Sequence, residues 1–234
     1  MKTKLHSCYL AVGLVVSMSS HAAELEITLT NLTHGVYFTP LIIAAHNQDA
    51  HLYQLGEPAS LALQAMAEGG DIAPLQAELQ AQNSNIVMNP AVGLLAPSKS
   101  TSAMLMTDST NQYLSLTAML LPTNDGFVGL SAWPIPTTAG TYHIYLDGYD
   151  AGTEANNELV VAGSGASGML GIPASPGMEP GSNGTGVTSS ESNKTVHVHR
   201  GNVGDNDPQG GASDLHNTVH RWLNPVAKLT VVVK

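Results

Sequence analysis

The sequence predicts an all-β protein, an antiparallel β-sandwich with a short helical insertion. Leu25–Thr30 and Thr141–Leu146 alternate apolar and polar residues, as half-buried strands do. Further strand-like segments recur along the chain, separated by Gly, Pro, Asn and Asp: Gln112–Leu121, Phe127–Leu130, Glu158–Val161, Thr195–His199 and Ala227–Val233. Many short strands with turn residues between them are typical of a sandwich or barrel.

Two helices interrupt this strand pattern. The first follows Glu57–Ser60 and runs through residues rich in Ala, Leu, Met and Gln. Its Pro58 near the start and its Gly69 and Gly70 at the end are the usual boundary residues of a helix. A second, shorter helix is predicted over Pro74–Gln80. Because both lie in one stretch, we expect them to form a single insertion in the β fold.

Residues 1–22 have the pattern of a secretory signal peptide. Lys2 and Lys4 precede an apolar run from Cys8 to Met18, and small residues lead to Ala22. The apolar run is too short for the roughly 20 residues that a membrane-spanning helix needs. We therefore expect an exported protein, periplasmic or extracellular, whose mature domain is 23–234.

Charge and cysteine content exclude several classes of function. The single cysteine, Cys8, lies in the predicted signal peptide, so the mature chain has neither disulfides nor a thiol nucleophile. Six Lys and Arg remain against eighteen Asp and Glu, a net charge of −12. Without a basic patch, nucleic acid is not an expected partner. Neither a G-x-S-x-G nucleophile elbow nor a phosphate-binding loop is present. We expect a monomer that is not an enzyme.

A long segment from about residue 163 to 193 is dominated by Gly, Ser, Pro and Ala. Such a composition predicts a flexible loop with little to bury. A disordered spacer and an ordered functional loop are both consistent with the sequence.

Acidic residues lie at the ends of two predicted strands. Asp125 comes just before the strand Phe127–Leu130, and Asp147, Asp150 and Glu154 follow the strand that ends at Leu146. Calcium takes six to eight oxygen ligands, and loops at one end of a sandwich could bring such groups together. Spacing alone favours solvated acidic turns, since Asp, Asn and Gly are common turn residues.

Four histidines near the end of the chain are a second candidate site. His197 and His199 alternate on a predicted strand and share a face. His216 and His220 are four residues apart and would share a face of a short helix. Imidazole suits zinc, copper or nickel, so the four could form a transition-metal site. Partly buried histidines bonded to backbone or carboxylate groups are the simpler interpretation.

Several motifs together resemble the spondin N-terminal domain family, which is known from F-spondin and mindin and occurs in bacterial exported proteins. They follow the family order along nearly the whole mature chain: Thr33–Pro40, Gly56–Ser60, Asp125–Leu130, Asp150–Glu154 and Asn224–Thr230. Asp-Ala-Gly-Thr followed by an acid, at 150–154, is the most specific of these motifs.

The resemblance implies a β-sandwich similar to calcium- and phospholipid-binding domains, with a divalent-cation site. By the resemblance, Asp125, Asp150 and Glu154 ligate calcium or another divalent cation. Glu154 stands where animal members have Asp, and Gly126 replaces an aromatic residue. Asp147 is either a supporting group or a turn former.

The expected function is therefore a secreted, calcium-dependent binding or adhesion module that meets a glycan, a membrane or a protein. A periplasmic copper or zinc protein using His197, His199, His216 and His220 is the alternative. A third possibility is a metal that only holds the loops, with the ligand site elsewhere.

Overall fold

The computed structural model describes residues 22–178, 181–207 and 209–234. All of the predicted signal peptide except Ala22 lies outside these ranges. Within them, no helix is both long and apolar enough to cross a membrane.

The described part of the chain contains eleven strands and two helices. The strands are β1 (Glu24–Asn31), β2 (Tyr37–Phe38), β3 (Ile42–His46), β4 (Asn85–Met88), β5 (Ser100–Met106), β6 (Tyr113–Leu121), β7 (Gly126–Pro134), β8 (Gly140–Leu146), β9 (Gly148–Asp150), β10 (His197–Val198) and β11 (Ala227–Val233). The helices are α1 (Leu61–Gly69) and α2 (Ala73–Ala81).

The strands form two sheets in which neighbouring strands are antiparallel. One sheet has the order β5-β1-β11-β8, and the other has the order β10-β9-β7-β6-β3-β4, with β2 also paired to β6. In the first sheet Leu25 lies opposite Val233 and Leu29 lies opposite Leu229. The predicted all-β class with a short helical insertion is confirmed.

The first core lies between the two sheets. Leu25, Ile27 and Leu29 of β1 are buried, whereas Thr28 and Thr30, which alternate with them, are not. Their alternation follows from the two-residue period of a strand. Each such buried side chain contributes about 1.5–3 kcal/mol by leaving water, so the inward face of β1 is a principal source of stability.

A second core lies on the other face of the larger sheet, beneath the helices. Leu63 and Met66 of α1 and Leu75 and Leu79 of α2 pack there with Phe127. Strand β6 is therefore covered on both faces, and its last eight residues are all buried. The helical insertion thus completes the core of the larger sheet.

Local sequence accounts for the position of α1. The Ser60 hydroxyl oxygen accepts a hydrogen bond from the backbone N–H of Leu63 at 3.1 Å, which caps the first turn. Gly70 ends the helix with φ of 71°, a left-handed conformation that glycine adopts without a steric penalty. The predicted end of this helix at Gly69 and Gly70 is confirmed, and its first residue is Leu61, three positions after Pro58.

Two predicted strands differ from the structure. Glu158–Val161 is not a strand, because Glu158 has φ of 58° and only Val160 makes a bridge, to Ile172. The Glu158 carboxylate instead accepts hydrogen bonds from Val203 N and Gly204 N. Thr195–His199 shortens to the two residues of β10.

The segment from 163 to 193 is a loop in its described residues, but it buries more than its composition predicts. Ile172 is fully buried, Gly168 N donates a hydrogen bond to the Glu68 carboxylate of α1, and Gly171 N donates one to Glu154. These contacts hold the first half of the loop close to the second core.

Candidate functional site

Strand pairing places Asp150 at the centre of the candidate site. Asp150 ends β9 and lies opposite Gly126 of β7 on one side and His197 of β10 on the other. Asp125 directly precedes Gly126, and its backbone carbonyl accepts a hydrogen bond from Ala151 N at 3.2 Å. The turn before β7 and the turn after β9 are therefore adjacent.

The Asp125 carboxylate is completely buried and has one free oxygen. Its Oδ2 accepts hydrogen bonds from Thr153 N at 2.8 Å, from Thr153 Oγ1 at 3.2 Å and from Glu154 N at 3.1 Å. Its Oδ1 is buried without a hydrogen-bond partner. Burial, and then the charge of Asp150, raise the pKa of Asp125 to about 7. A buried carboxylate oxygen without a partner is costly unless a cation or a proton compensates it.

Glu154 provides a second free oxygen. Its Oε2 accepts hydrogen bonds from Asn124 Nδ2 at 3.1 Å and Gly171 N at 3.2 Å, while Oε1 is buried without a partner. Burial, and then the charges of Glu68 and Asp125, raise the pKa of Glu154 to about 7. The longer side chain of Glu compared with Asp lets this carboxylate reach Gly171 in the long loop.

Asp150 is buried, and both of its carboxylate oxygens have hydrogen bonds. Oδ1 accepts from Gly152 N at 2.8 Å and Oδ2 accepts from Asn156 Nδ2 at 2.7 Å. The Nε2 atom of His197 lies 3.8 Å from the same Oδ2. Oδ2 keeps a further lone pair, because a carboxylate oxygen can accept two hydrogen bonds.

Carboxylate oxygens are the ligand type that a hard cation prefers, but they are not arranged here as a complete coordination site. Asp125 lies close to Asp150 and to Glu154, and two carboxylate oxygens lack partners. Nevertheless, no group of three or more His, Cys, Asp or Glu among the described residues is arranged to hold a metal ion. The three predicted ligands lie in one buried cluster, in which Glu154 Oε2 is bonded to Asn124 and Gly171 and Glu154 Oε1 is free.

Asp147 is placed apart from these carboxylates. It lines a cavity of about 220 Å³ together with Tyr53, Tyr145 and Tyr149. Burial, and then the charge of Asp147, raise the pKa of Tyr149. The backbone carbonyl of Asp147 accepts a hydrogen bond from Gly129 N at 3.3 Å. The side chain therefore belongs to the tyrosine cavity, and the structure shows no contact that would make it support Asp125.

Space beside Asp125 explains the glycine at position 126. A Cβ atom on Gly126 would lie 2.7 Å from Thr123 Oγ1 and 3.1 Å from His199 Cδ2. The buried His199 ring, whose centre lies 5.0 Å from the Trp222 ring at a tilt of 37°, thus occupies the space next to this strand. Burial lowers the pKa of His199 to about 4, so the ring is neutral at pH 7.

The other predicted histidine pair lies elsewhere. His216 and His220 are in a single turn and not in a helix, and they line a cavity of about 350 Å³ with Met178 and Asp214. His216 N donates a hydrogen bond to Nδ1 of His220 at 3.0 Å, and Nδ1 of His216 accepts one from Thr218 N at 3.3 Å. These bonds leave the proton of each neutral ring on Nε2. The arrangement does not favour a copper or zinc site on these two rings.

Three polar residues that hold the carboxylates were not predicted from the sequence: Asn124, Thr153 and Asn156. Asn124 also donates to Asn157 Oδ1 at 2.9 Å and so joins the two turns. The sequence feature that could have identified them is the frequency of Asn and Thr around the acidic residues, but this is equally typical of ordinary turns.

The comparison with protein families matches the part of the chain that contains this cluster. A family model described as Spondin_N matches residues 29–160, more than half of the chain. The match contains Asp125, Asp150 and Glu154, whereas His197, His199, His216 and His220 lie beyond it. No curated protein matches the chain.

Proposed function

The chain belongs to the Spondin_N family, and we propose that it is a secreted binding module whose acidic loops are organised by calcium or another divalent cation. Members of this family are non-catalytic domains that are typically secreted or extracellular. One observation carries the proposal: Asp125 Oδ1 and Glu154 Oε1 are buried without partners in adjoining turns. A divalent cation would compensate both charges at once.

Asp125, Asp150 and Glu154 would hold the cation through carboxylate oxygens, the ligand type that calcium prefers. The chain prepares these oxygens with its own groups. Thr153 fixes Asp125, Asn156 fixes Asp150, and Asn124 fixes Glu154. When bound, the cation supplies positive charge between the turns and so makes the loop surface rigid.

Export to the periplasm or the extracellular space is part of the proposal. The partner would be a glycan, a membrane surface or a protein that meets the ordered loops. Binding to a glycan array and sedimentation with liposomes, each in calcium and in chelator, distinguish these partners. A calcium-dependent signal from one of them supports a binding module. If calcium raises stability while neither assay depends on it, the cation only holds the loops.

Isothermal titration calorimetry of the metal-free mature chain, residues 23–234, tests the cation site. We expect one calcium site that is lost in Asp125→Asn and in Asp150→Asn. Asp49→Asn is a matched control, because Asp49 is exposed in another turn. A hundredfold excess of calcium over its dissociation constant should stabilise the fold by about 2.7 kcal/mol. Calcium binding that persists in both variants would contradict the site.

A further inference from the structure

His197 faces the candidate cation site from the strand beyond Asp150. Its Nε2 atom lies 3.8 Å from Asp150 Oδ2, which is too long for a hydrogen bond. Two ligands at tetrahedral positions on a zinc ion, each about 2.1 Å from it, are about 3.4 Å apart. The observed separation is therefore close to that of two atoms sharing one cation. The His197 side chain is 28 % exposed, so an ion from solvent can reach it.

A backbone carbonyl sets the tautomer of His197. Its Nδ1 lies 2.8 Å from the carbonyl oxygen of Thr195, which can only accept a hydrogen bond. Nδ1 of the neutral ring therefore carries the proton, and Nε2 presents a lone pair toward Asp150. Histidines that bind metals are commonly oriented by this kind of N–H···O=C bond.

The other three candidate histidines have the opposite tautomer. In His199 the Nδ1 atom accepts a hydrogen bond from Gly201 N at 2.9 Å, and the Nδ1 atoms of His216 and His220 accept backbone N–H groups in the same way. Their Nε2 atoms then carry the proton and cannot ligate a cation. Of these four rings, only His197 offers an Nε2 lone pair, and it is the ring opposite Asp150.

Three carboxylates leave a ligand position for such a ring. Asp125 Oδ1 and Glu154 Oε1 have no partner, and Asp150 Oδ2 keeps a lone pair. Zinc is commonly four-coordinate, so one position on the ion remains. His197 is adjacent to Asp150 through the β9–β10 pairing.

We propose that His197 is a fourth protein ligand of the cation held by Asp125, Asp150 and Glu154, and that this imidazole makes the site prefer a borderline transition-metal ion, with Zn²⁺ as the probe, to Ca²⁺. The inference rests on the proposed cation site. Its chemical basis is that imidazole nitrogen suits zinc, whereas calcium selects oxygen ligands.

Parallel calorimetric titrations with ZnCl₂ and CaCl₂ test the ligand. In the wild-type mature chain we expect zinc to bind at least tenfold more tightly than calcium. His197→Ala should weaken zinc binding by more than tenfold and calcium binding by less than about threefold. His143→Ala is the control, since His143 is exposed on β8 and should leave both affinities unchanged.

The variant Asp150→Asn separates this inference from the proposed function. If Asp150→Asn removes binding of both ions while His197→Ala leaves zinc affinity unchanged, the cation site stands and His197 is not its ligand. If neither ion binds, or if Asp150→Asn has no effect on either, the proposed function and the inference are both wrong.

A measurement on the wild-type chain tests the ligand even if the His197→Ala variant misfolds. Imidazole ¹⁵N spectra of the wild-type mature chain, recorded with and without one equivalent of Zn²⁺, should show a shift of a single Nε2 resonance. That resonance should be missing in His197→Ala. A shift at other histidine rings with none at His197 would overturn the proposal.

Discussion

At the scale of single residues, Gly126 shows how tightly the acidic turn is packed. Its missing side chain leaves room for the Thr123 hydroxyl and for the His199 ring. Thr123 Oγ1 in turn accepts a hydrogen bond from Gly126 N at 2.9 Å and donates to the Leu120 carbonyl, which closes the turn before Asp125. Position 126 is therefore set by packing as much as by the cation site.

Gly126→Ala should destabilise the protein by about 1–3 kcal/mol, because the added methyl group overpacks a buried turn. Urea unfolding followed by fluorescence measures the change. Gly140→Ala is the control: the nearest atoms to its Cβ, in Tyr142, lie at 3.6 Å or more, so stability should change by less than about 0.5 kcal/mol. Equal effects of the two substitutions would show that the space beside Gly126 is not limiting.

At the scale of elements, α1 stabilises the larger sheet by covering its outer face. Leu63 is buried under the helix, whereas Leu61 at its first residue is 82 % exposed. The helix is short, and isolated helices of this length are marginal in water, so its stability comes from this packing.

Leu63→Ala should cost about 2–5 kcal/mol, because it opens a cavity in the second core. Leu61→Ala makes the same chemical change on the same helix at an exposed position and should cost less than about 0.5 kcal/mol. Urea midpoints of the two variants give the comparison. A small cost at Leu63 would mean that α1 is not an integral part of the fold.

Strand β10 carries the proposed ligand His197, and the local sequence predicts its length poorly. It has only two residues, His197 and Val198. Its pairing with β9 places His197 opposite Asp150, 47 positions earlier in the chain. The alternation in Thr195–His199 predicted a longer strand because periodicity does not reveal where a partner strand ends.

At the scale of the whole molecule, fold stability is linked to protonation at the site. The described residues contain no cysteine, so the stability of this part depends on its two cores and on any bound cation. Asp125 and Glu154 have pKa values raised from 3.8 and 4.5 to about 7. The folded state therefore binds these protons more tightly than the unfolded state does.

In chelator, the stabilising contribution of Asp125 and Glu154 should be fully present below about pH 4 and should be lost as pH rises toward 7. His199 acts in the opposite sense, since its pKa is lowered from 6.5 to about 4 and its contribution is lost as pH falls through that range. The difference in urea midpoint between wild type and Asp125→Asn isolates Asp125. Relative to the variant, the wild type should lose stability between pH 4.5 and 7.5.

Excess divalent cation should remove most of that pH dependence, because the cation replaces the lost protons. If the wild type instead gained stability relative to Asp125→Asn across this range in chelator, the ionised form of Asp125 would be the favoured one. The raised pKa would then be wrong.

The sequence by itself determined the class of the fold and the presence of the helical insertion, and it supplied the acidic residues of the proposed site. Alternation in Leu25–Thr30, the boundary residues Pro58 and Gly70 of the first helix and the Asp-Ala-Gly-Thr motif are local signals, and each depends on the residues beside it. They are interpretable because a strand and a helix have fixed periods and because a cap acts within one turn.

Only the tertiary structure decided which of these residues meet. Strand pairing places His197 opposite Asp150. Asp147 is only three residues from Asp150 along the chain, but it lies at the tyrosine cavity. Burial of β6 on both faces and the left-handed Glu158 depend likewise on segments distant in sequence. The physical reason is that these contacts arise from burial and hydrogen bonding between segments whose register the chain settles only on folding.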